Sequence, residues 1–324
     1  AFESILKDLR SAEKFIFMEY FIIGSGVMLD QILDILKEKV KHGVVVRIIY
    51  DDFGSINAIP PHFIKEMESI GIQTRRFNPY KPMLSVIMND RDHRKILVID
   101  GRVAHTGGYN IADEYINKKI RFGYWKDAGI RVEGECVNSF TTMFLEMWNY
   151  INKDNAVHDE YLNPHNTFSQ SEKSGFVQPF CDSPLEHDDV GENLYVSIIS
   201  RAKKYVYIFT PYLILGTELS HAMISAARSG VDVRIVVPKI PDKKLIYLQT
   251  KANFRPLIEA GVRIYLYTPG FIHSKCIVAD DDTAIVGTCN LDFRSMYWNF
   301  EDFVYMYRTQ CIGKIKEDAI ETFA

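Results

Sequence analysis

Apolar positions fall into two alternating periods along this chain. Phe2, Ile5, Leu6 and Leu9 recur at helical spacing and predict a helix over 1–13. The run 15–23 is apolar apart from Glu19 and reads as a buried strand with one polar interruption. After the turn at Gly24-Ser25-Gly26, residues 28–42 carry Leu29, Ile32, Leu33, Leu36 and Val40 on a helical stripe that stops at Gly43. A second buried strand follows at 44–51, then a helix over 62–70, a strand at 72–77, a strand at 128–132 and an aromatic-rich helix over 138–151. Strands alternating with helices predict a parallel or mixed sheet covered by helices.

The pattern then restarts. Residues 193–202 and 218–229 read as helices, and 205–210 and 231–237 as strands. Gly230-Val231-Asp232-Val233-Arg234 repeats Gly43-Val44-Val45-Val46-Arg47, and Gly261-Val262-Arg263 repeats Gly71-Ile72-Gln73. Near-constant offsets across a whole half indicate an internal duplication. The predicted fold is α/β. It has two duplicated α/β/α halves, each with a mixed, largely parallel sheet flanked by helices, packed about a pseudo-twofold axis. The halves are placed at 1–155 and 191–324. A linker is placed at 156–190, where Asn, Asp, Ser, His and Pro are dense. The stretch 78–88 is unusually apolar for a loop. It either packs onto its own domain or forms a lip that touches lipid.

Composition adds limits. A net charge of -4 argues against a broad nucleic-acid-binding surface and leaves room for a local basic site. Cys136, Cys181, Cys276, Cys289 and Cys311 form no C-x-x-C pair and no metal-type cluster with His, so they read as reduced, mostly buried thiols. No run of 18 or more apolar residues is present to form a spanning helix.

The candidate chemistry lies in one spacing that occurs twice. His93, Lys95 and Asp100 are spaced as His-x-Lys-x4-Asp, and so are His273, Lys275 and Asp280. Two such matches arise by chance in roughly 1 in 2000 chains of ordinary composition. The residues between Lys and Asp are apolar and predict a buried strand, on which His and Lys, two apart, point the same way. Asp100 and Asp280 fall at the far end and suit bracing a turn. Two His with two Lys make a poor cation site, because ammonium groups repel a metal. They suit a phosphate. Lys neutralises charge building on phosphoryl oxygens, one imidazole attacks phosphorus, and the other serves as general acid and then base. The six motif residues form the candidate catalytic set. Gly107-Gly108-Tyr109-Asn110 and Gly287-Thr288-Cys289-Asn290 follow their motifs by the same step. Gly108, Asn110, Thr288 and Asn290 are the candidate phosphate-binding positions. Asp127 and Glu301, each expected on a strand after its motif, are the candidates to orient the imidazoles.

The two His-x-Lys-x4-Asp segments resemble the phospholipase D superfamily. The wider match resembles bacterial cardiolipin synthases: Thr106-Gly107-Gly108-Tyr109-Asn110-Ile111, Asp113-Glu114-Tyr115, Trp125-Lys126-Asp127, the run from Gly287 to Ser295, and Asn299-Phe300-Glu301. The resemblance covers nearly the whole chain. It implies two phospholipase D-like halves and a ping-pong transfer through a phosphohistidine. His93 would be the nucleophile and His273 the acid and base, with the reverse assignment allowed by the symmetry. Two molecules of phosphatidylglycerol would be the substrates, at a membrane surface, without metal, organic cofactor or nucleic acid. It also implies a bacterial cell-membrane protein with amino-terminal membrane helices. Those helices are absent from this sequence, so an anchor is expected in a longer protein. The alternatives are a phospholipase D releasing phosphatidic acid, a nucleic-acid phosphodiesterase, and a non-catalytic lipid-binding module. Charge and the apolar 79–88 stretch disfavour the second, and the paired His-Lys sets disfavour the third.

Overall fold

Strands buried on both faces need helices on both sides, and each half of the chain supplies them. The structure is a computed structural model describing residues 1–80, 89–162, 175–186 and 188–324. Most of the apolar stretch, residues 81–88, lies outside the described residues. The chain divides into two units. One comprises Ala1–Lys119 with Gly129–Ser169, and the other Ile120–Ala128 with Gln170–Ala324. This division differs from two contiguous halves, because Ile120–Ala128 joins the second unit. Its short strand Tyr124–Lys126 pairs in parallel with Gly270–Ile272.

In the first unit the sheet order is Gln73–Phe77, Val45–Asp51, Phe15–Tyr20, Lys95–Ile99, Val103–Gly107 and Gly129–Glu133. The first three strands are parallel and joined through helices. The remaining pairs are antiparallel. The sheet is therefore mixed, as expected, but parallel over only one side. The physical reason is connection length. Asp100-Gly101-Arg102 between two strands allows only a hairpin, whereas a parallel return needs a crossover of a dozen or more residues.

Side chains of the central strand Phe15–Tyr20 alternate between two layers. Ile16, Met18 and Tyr20 join a core with Ile5, Leu6 and Leu9 of the helix Phe2–Arg10 and with Met28, Leu29, Ile32 and Leu36 of the helix Val27–Lys41. On the other face Phe17 stacks on Phe144 of the helix Val137–Asn152, ring centroids 4.6 Å apart. The helix Val27–Lys41 ends where Gly43 adopts φ 83°, a left-handed conformation that costs a side chain energy.

The second unit repeats this plan. Arg263–Tyr267, Asp232–Pro238 and Tyr205–Phe209 are parallel, and Cys276–Ala279, Thr283–Gly287 and Asn299–Tyr307 continue antiparallel. Val206 and Ile208 face the helices Val190–Arg201 and Thr217–Arg228 in one core. Tyr207 and Phe209 face Phe323 of the helix Cys311–Phe323. Gly230 takes φ 91° at the position matching Gly43. The strand Phe176–Asp182 lies inside the stretch read as linker and pairs antiparallel with Asn299–Tyr307. Its Pro179 fits a sheet margin and masked the strand in the sequence.

Candidate active site

Each motif begins two or three residues before its strand. The strands are Lys95–Ile99 and Cys276–Ala279, so His93 and His273 stand just ahead of them in non-strand backbone. Register fixes the equivalence: Glu19 pairs with Ile96 in the first sheet, and Phe209 with Cys276 in the second. Both His and both Lys are buried. Each Lys Nζ donates to the carbonyl of its own motif's His: Lys95 to His93 and Lys275 to His273. The ammonium of each Lys is thereby held to the backbone of its own motif's His.

The second half-site is built from both segments of its unit. The His273 N–H donates to the Lys126 carbonyl at 2.7 Å, and the His273 ring Nδ1 lies 2.8 Å from Asp127 Oδ2. Trp125 packs against His273 and Phe271, with ring centroids 5.3 and 4.8 Å away. Asp127 therefore sits between two short strands rather than on one, and holds the imidazole of the second motif although it follows the first in sequence. Burial pushes the Asp127 carboxyl up, but the His273 ring, Lys275 and the Ala128 N–H together bring it below the usual range. A carboxylate beside Nδ1 fixes the orientation of the ring.

Glu301 is fully buried on the strand Asn299–Tyr307 and accepts from the Thr288 hydroxyl and, at 3.1 Å, from the Asn299 amide. Thr288 also takes the Asp302 N–H at 2.9 Å on its hydroxyl and gives its own N–H to the Asp302 carbonyl at 3.0 Å. The Thr288 hydroxyl and N–H are thus both engaged within this turn, beside Glu301. The close approach depends on Gly287, where a Cβ would lie 2.5 Å from the Asp302 carbonyl oxygen.

The two Asn sit at matching turns. Asn110 accepts the Ile22 N–H at 3.0 Å and donates to the Tyr115 hydroxyl at 2.7 Å. Asn290 donates to the Ser295 hydroxyl at 3.1 Å. Each amide nitrogen carries a second hydrogen that can meet a phosphate oxygen. Gly108 is buried in the turn beside Asn110.

Asp100 and Asp280 lie elsewhere. Asp100 accepts the backbone N–H groups of Glu13, Lys14 and Phe15 at 2.9, 2.7 and 2.9 Å. Asp280 accepts those of Lys203, Lys204 and Tyr205 at 2.6, 2.8 and 3.0 Å. Four intervening residues, a rise of about 16 Å over five steps, separate each from its Lys. Each clamps the turn that feeds the central strand of its unit, the bracing role their place at the far end of the motif suggested. Both sit in the left-handed region, at φ 54° and 52°, which Asp tolerates better than most side chains.

One feature of the first half-site has no counterpart in the second. Arg94, between His93 and Lys95, points to the opposite face and pairs with Glu19 at 2.8 Å and with Asp92 at 3.5 Å. Asp92 donates its N–H to Asp51, which lies 3.6 Å from Arg91. Burial pushes Asp51 up to about 7 and holds Asp92 above the usual carboxylate range. The register-equivalent of Glu19 is Phe209, and Ser274 replaces Arg94. The residue between His and Lys is thus a buried, ion-paired Arg in the first motif and a buried Ser in the second. The polar interruption at Glu19 and the Arg94-to-Ser274 exchange are sequence signals of this difference.

Residues 5–148 and 195–322 match the family described as Cardiolipin synthase, PLD-like domain. An uncharacterized protein of Streptococcus mutans is 51% identical over 99% of this chain and 69% of its own length. Cardiolipin synthases of Alkalihalophilus pseudofirmus and Geobacillus kaustophilus are 40% and 38% identical over 98% and 99% of this chain. The chain spans 62% and 64% of the length of those two synthases. The crystal structure of phosphatidylserine synthase from Haemophilus influenzae Rd KW20 shares the fold, with a TM-score of 0.72 at 17% identity over 99% of this chain and 84% of that one. With the family match covering both motifs and relatives aligned along almost every residue, the chain belongs to the cardiolipin synthase family of PLD-like domains.

Proposed function

We propose that this chain is the catalytic part of a bacterial membrane phosphatidyltransferase that makes cardiolipin from two phosphatidylglycerol molecules. The observation that carries the reading is the duplicated half-site, a buried His whose carbonyl holds its own motif's Lys, found once in each unit. In the first step His93 Nε2 attacks phosphorus, the bond from phosphorus to the glycerol oxygen breaks, and His273 gives that oxygen a proton. The product is a phosphatidyl group on His93 and glycerol. In the second step His273 takes a proton from a head-group hydroxyl of the second phosphatidylglycerol. That oxygen attacks phosphorus, the N–P bond breaks, and cardiolipin leaves.

Lys95, Lys275 and the second amide hydrogens of Asn110 and Asn290 are the proposed donors to the phosphoryl oxygens, with Gly108 allowing close approach. Such donors act where charge develops in the transition state. Asp127 and Glu301 are the proposed imidazole-orienting carboxylates. Proton transfer by a positioned imidazole contributes about 10²–10⁴-fold. His93→Ala and His273→Ala should each abolish turnover while leaving the thermal unfolding midpoint near that of the parent. Substantial turnover by either variant would remove the paired-His mechanism.

A further inference from the structure

We infer that the helix Lys244–Ala252 is a docking surface for an anionic lipid bilayer, which it brings up to the second half-site. The inference rests on the phosphatidyltransferase reading for the presence of lipid substrate.

The strand Asp232–Pro238 runs parallel to Tyr205–Phe209. Phe209 faces Cys276, the residue after Lys275. The chain leaving Pro238 therefore emerges at the end of the sheet where His273 and Lys275 stand. It then forms the helix, in which Thr250 is the single buried residue. The Thr250 hydroxyl accepts the Leu213 N–H at 3.1 Å, and the Tyr212 hydroxyl donates to Asp242 at 2.6 Å. The next residue, Ile214, donates its N–H to the Leu291 carbonyl at 2.8 Å, beside Asn290. The helix is thus tied through a short rigid segment to a proposed phosphate-binding residue.

Its outer face is apolar. Leu245 and Leu248, one turn apart, are 79% and 62% exposed, and Ile240 just before the helix is 45% exposed. A surface helix of a globular protein turns such residues inward. Lys239, Lys243, Lys244 and Lys251 are exposed around them, while the one acid of the segment, Asp242, is engaged by Tyr212. Leucines rimmed by lysines fit the boundary between lipid head groups and acyl chains. The chain as a whole carries a net charge of -4, so it gains nothing from general attraction to an anionic surface. The local lysines supply that attraction, because each one gains near a negatively charged leaflet. A second copy of this surface would set lysine against lysine.

The test is co-sedimentation of the full chain with vesicles of phosphatidylglycerol and phosphatidylcholine, and with phosphatidylcholine vesicles alone. The parent should bind the anionic vesicles and largely dissociate at high salt. Leu245→Glu/Leu248→Glu should bind at least about tenfold more weakly. Both side chains are exposed, so the unfolding midpoint should hold, and turnover of a dispersed short-chain phosphatidylglycerol should match the parent. Equal vesicle binding by parent and variant would overturn the inference, as would parent binding that ignores lipid charge or fails altogether. If the parent binds anionic vesicles through this helix yet never turns over phosphatidylglycerol, the docking surface stands and the proposed activity falls.

Discussion

Replacing Glu19 by Leu strands Arg94 in the interior of the first unit. The Glu19 side chain is 0% exposed and that of Arg94 is 4% exposed, at a separation of 2.8 Å. Removing one partner of such a pair leaves a buried charge without its counterion, which costs about 3–5 kcal/mol. Asp92 remains 3.5 Å from Arg94 as a partial counterion, so the lower end applies. About 3 kcal/mol lowers the melting temperature of a unit this size by ~6–12 °C. Glu19→Leu/Arg94→Met replaces both charges with apolar groups of similar volume, and such exchanges are often neutral. The double variant should recover most of the loss, with the remainder set by Asp92. Thermal and urea unfolding of the parent, both single variants and the double variant gives the coupling directly. The reasoning fails if Glu19→Leu costs less than about 1 kcal/mol, or if the double variant is no more stable than the worse single one.

Two further outcomes follow from the geometry. Asp100→Ala and Asp280→Ala each orphan three backbone N–H groups, so each should lower stability by about 1–3 kcal/mol in denaturant unfolding. Any turnover lost should return when the folded fraction is restored by lower temperature. Loss of turnover at full folding would return these residues to the chemistry. Asp127→Asn should lower kcat by about 10²–10⁴, and it should also change the acid limb of stability. The Asp127 carboxyl lies below its ordinary 3.8 in the fold. Its contribution is therefore complete above that value and is lost as pH falls through the folded one. The parent should lose stability toward acid more steeply than Asp127→Asn, and parallel slopes would contradict the ion pair with His273.

The sequence carried the helices, the central strands and the duplication, because each rests on local periodicity or on a repeated spacing. Apolar runs such as 44–51 and 231–237 say that a strand is buried without saying which way its neighbour runs. The sequence therefore predicts a mixed sheet without its strand order, although the short links at Asp100-Gly101-Arg102 and Asp280-Asp281-Asp282 require hairpins. The pairing of Tyr124–Lys126 with Gly270–Ile272 joins residues far apart in sequence and has no local signature. It decides which imidazole Asp127 serves, so the candidate residue was legible and its partner was not. Glu19 read as an interruption because a lone acid in an apolar strand declares its burial without naming the Arg that balances it. Spacing likewise placed Thr288 beside Asn290 without showing that its hydroxyl would bond Glu301.

The central claim is that the paired His-x-Lys half-sites pass a phosphatidyl group to an alcohol. Product analysis with glycerol-labelled phosphatidylglycerol in mixed micelles tests it most directly, using the protein at the full length of its relatives. The account predicts labelled glycerol and cardiolipin in equal amounts, both absent from His93→Ala and His273→Ala. Phosphatidic acid as the sole lipid product would contradict it, because water rather than a second lipid would then be resolving the intermediate.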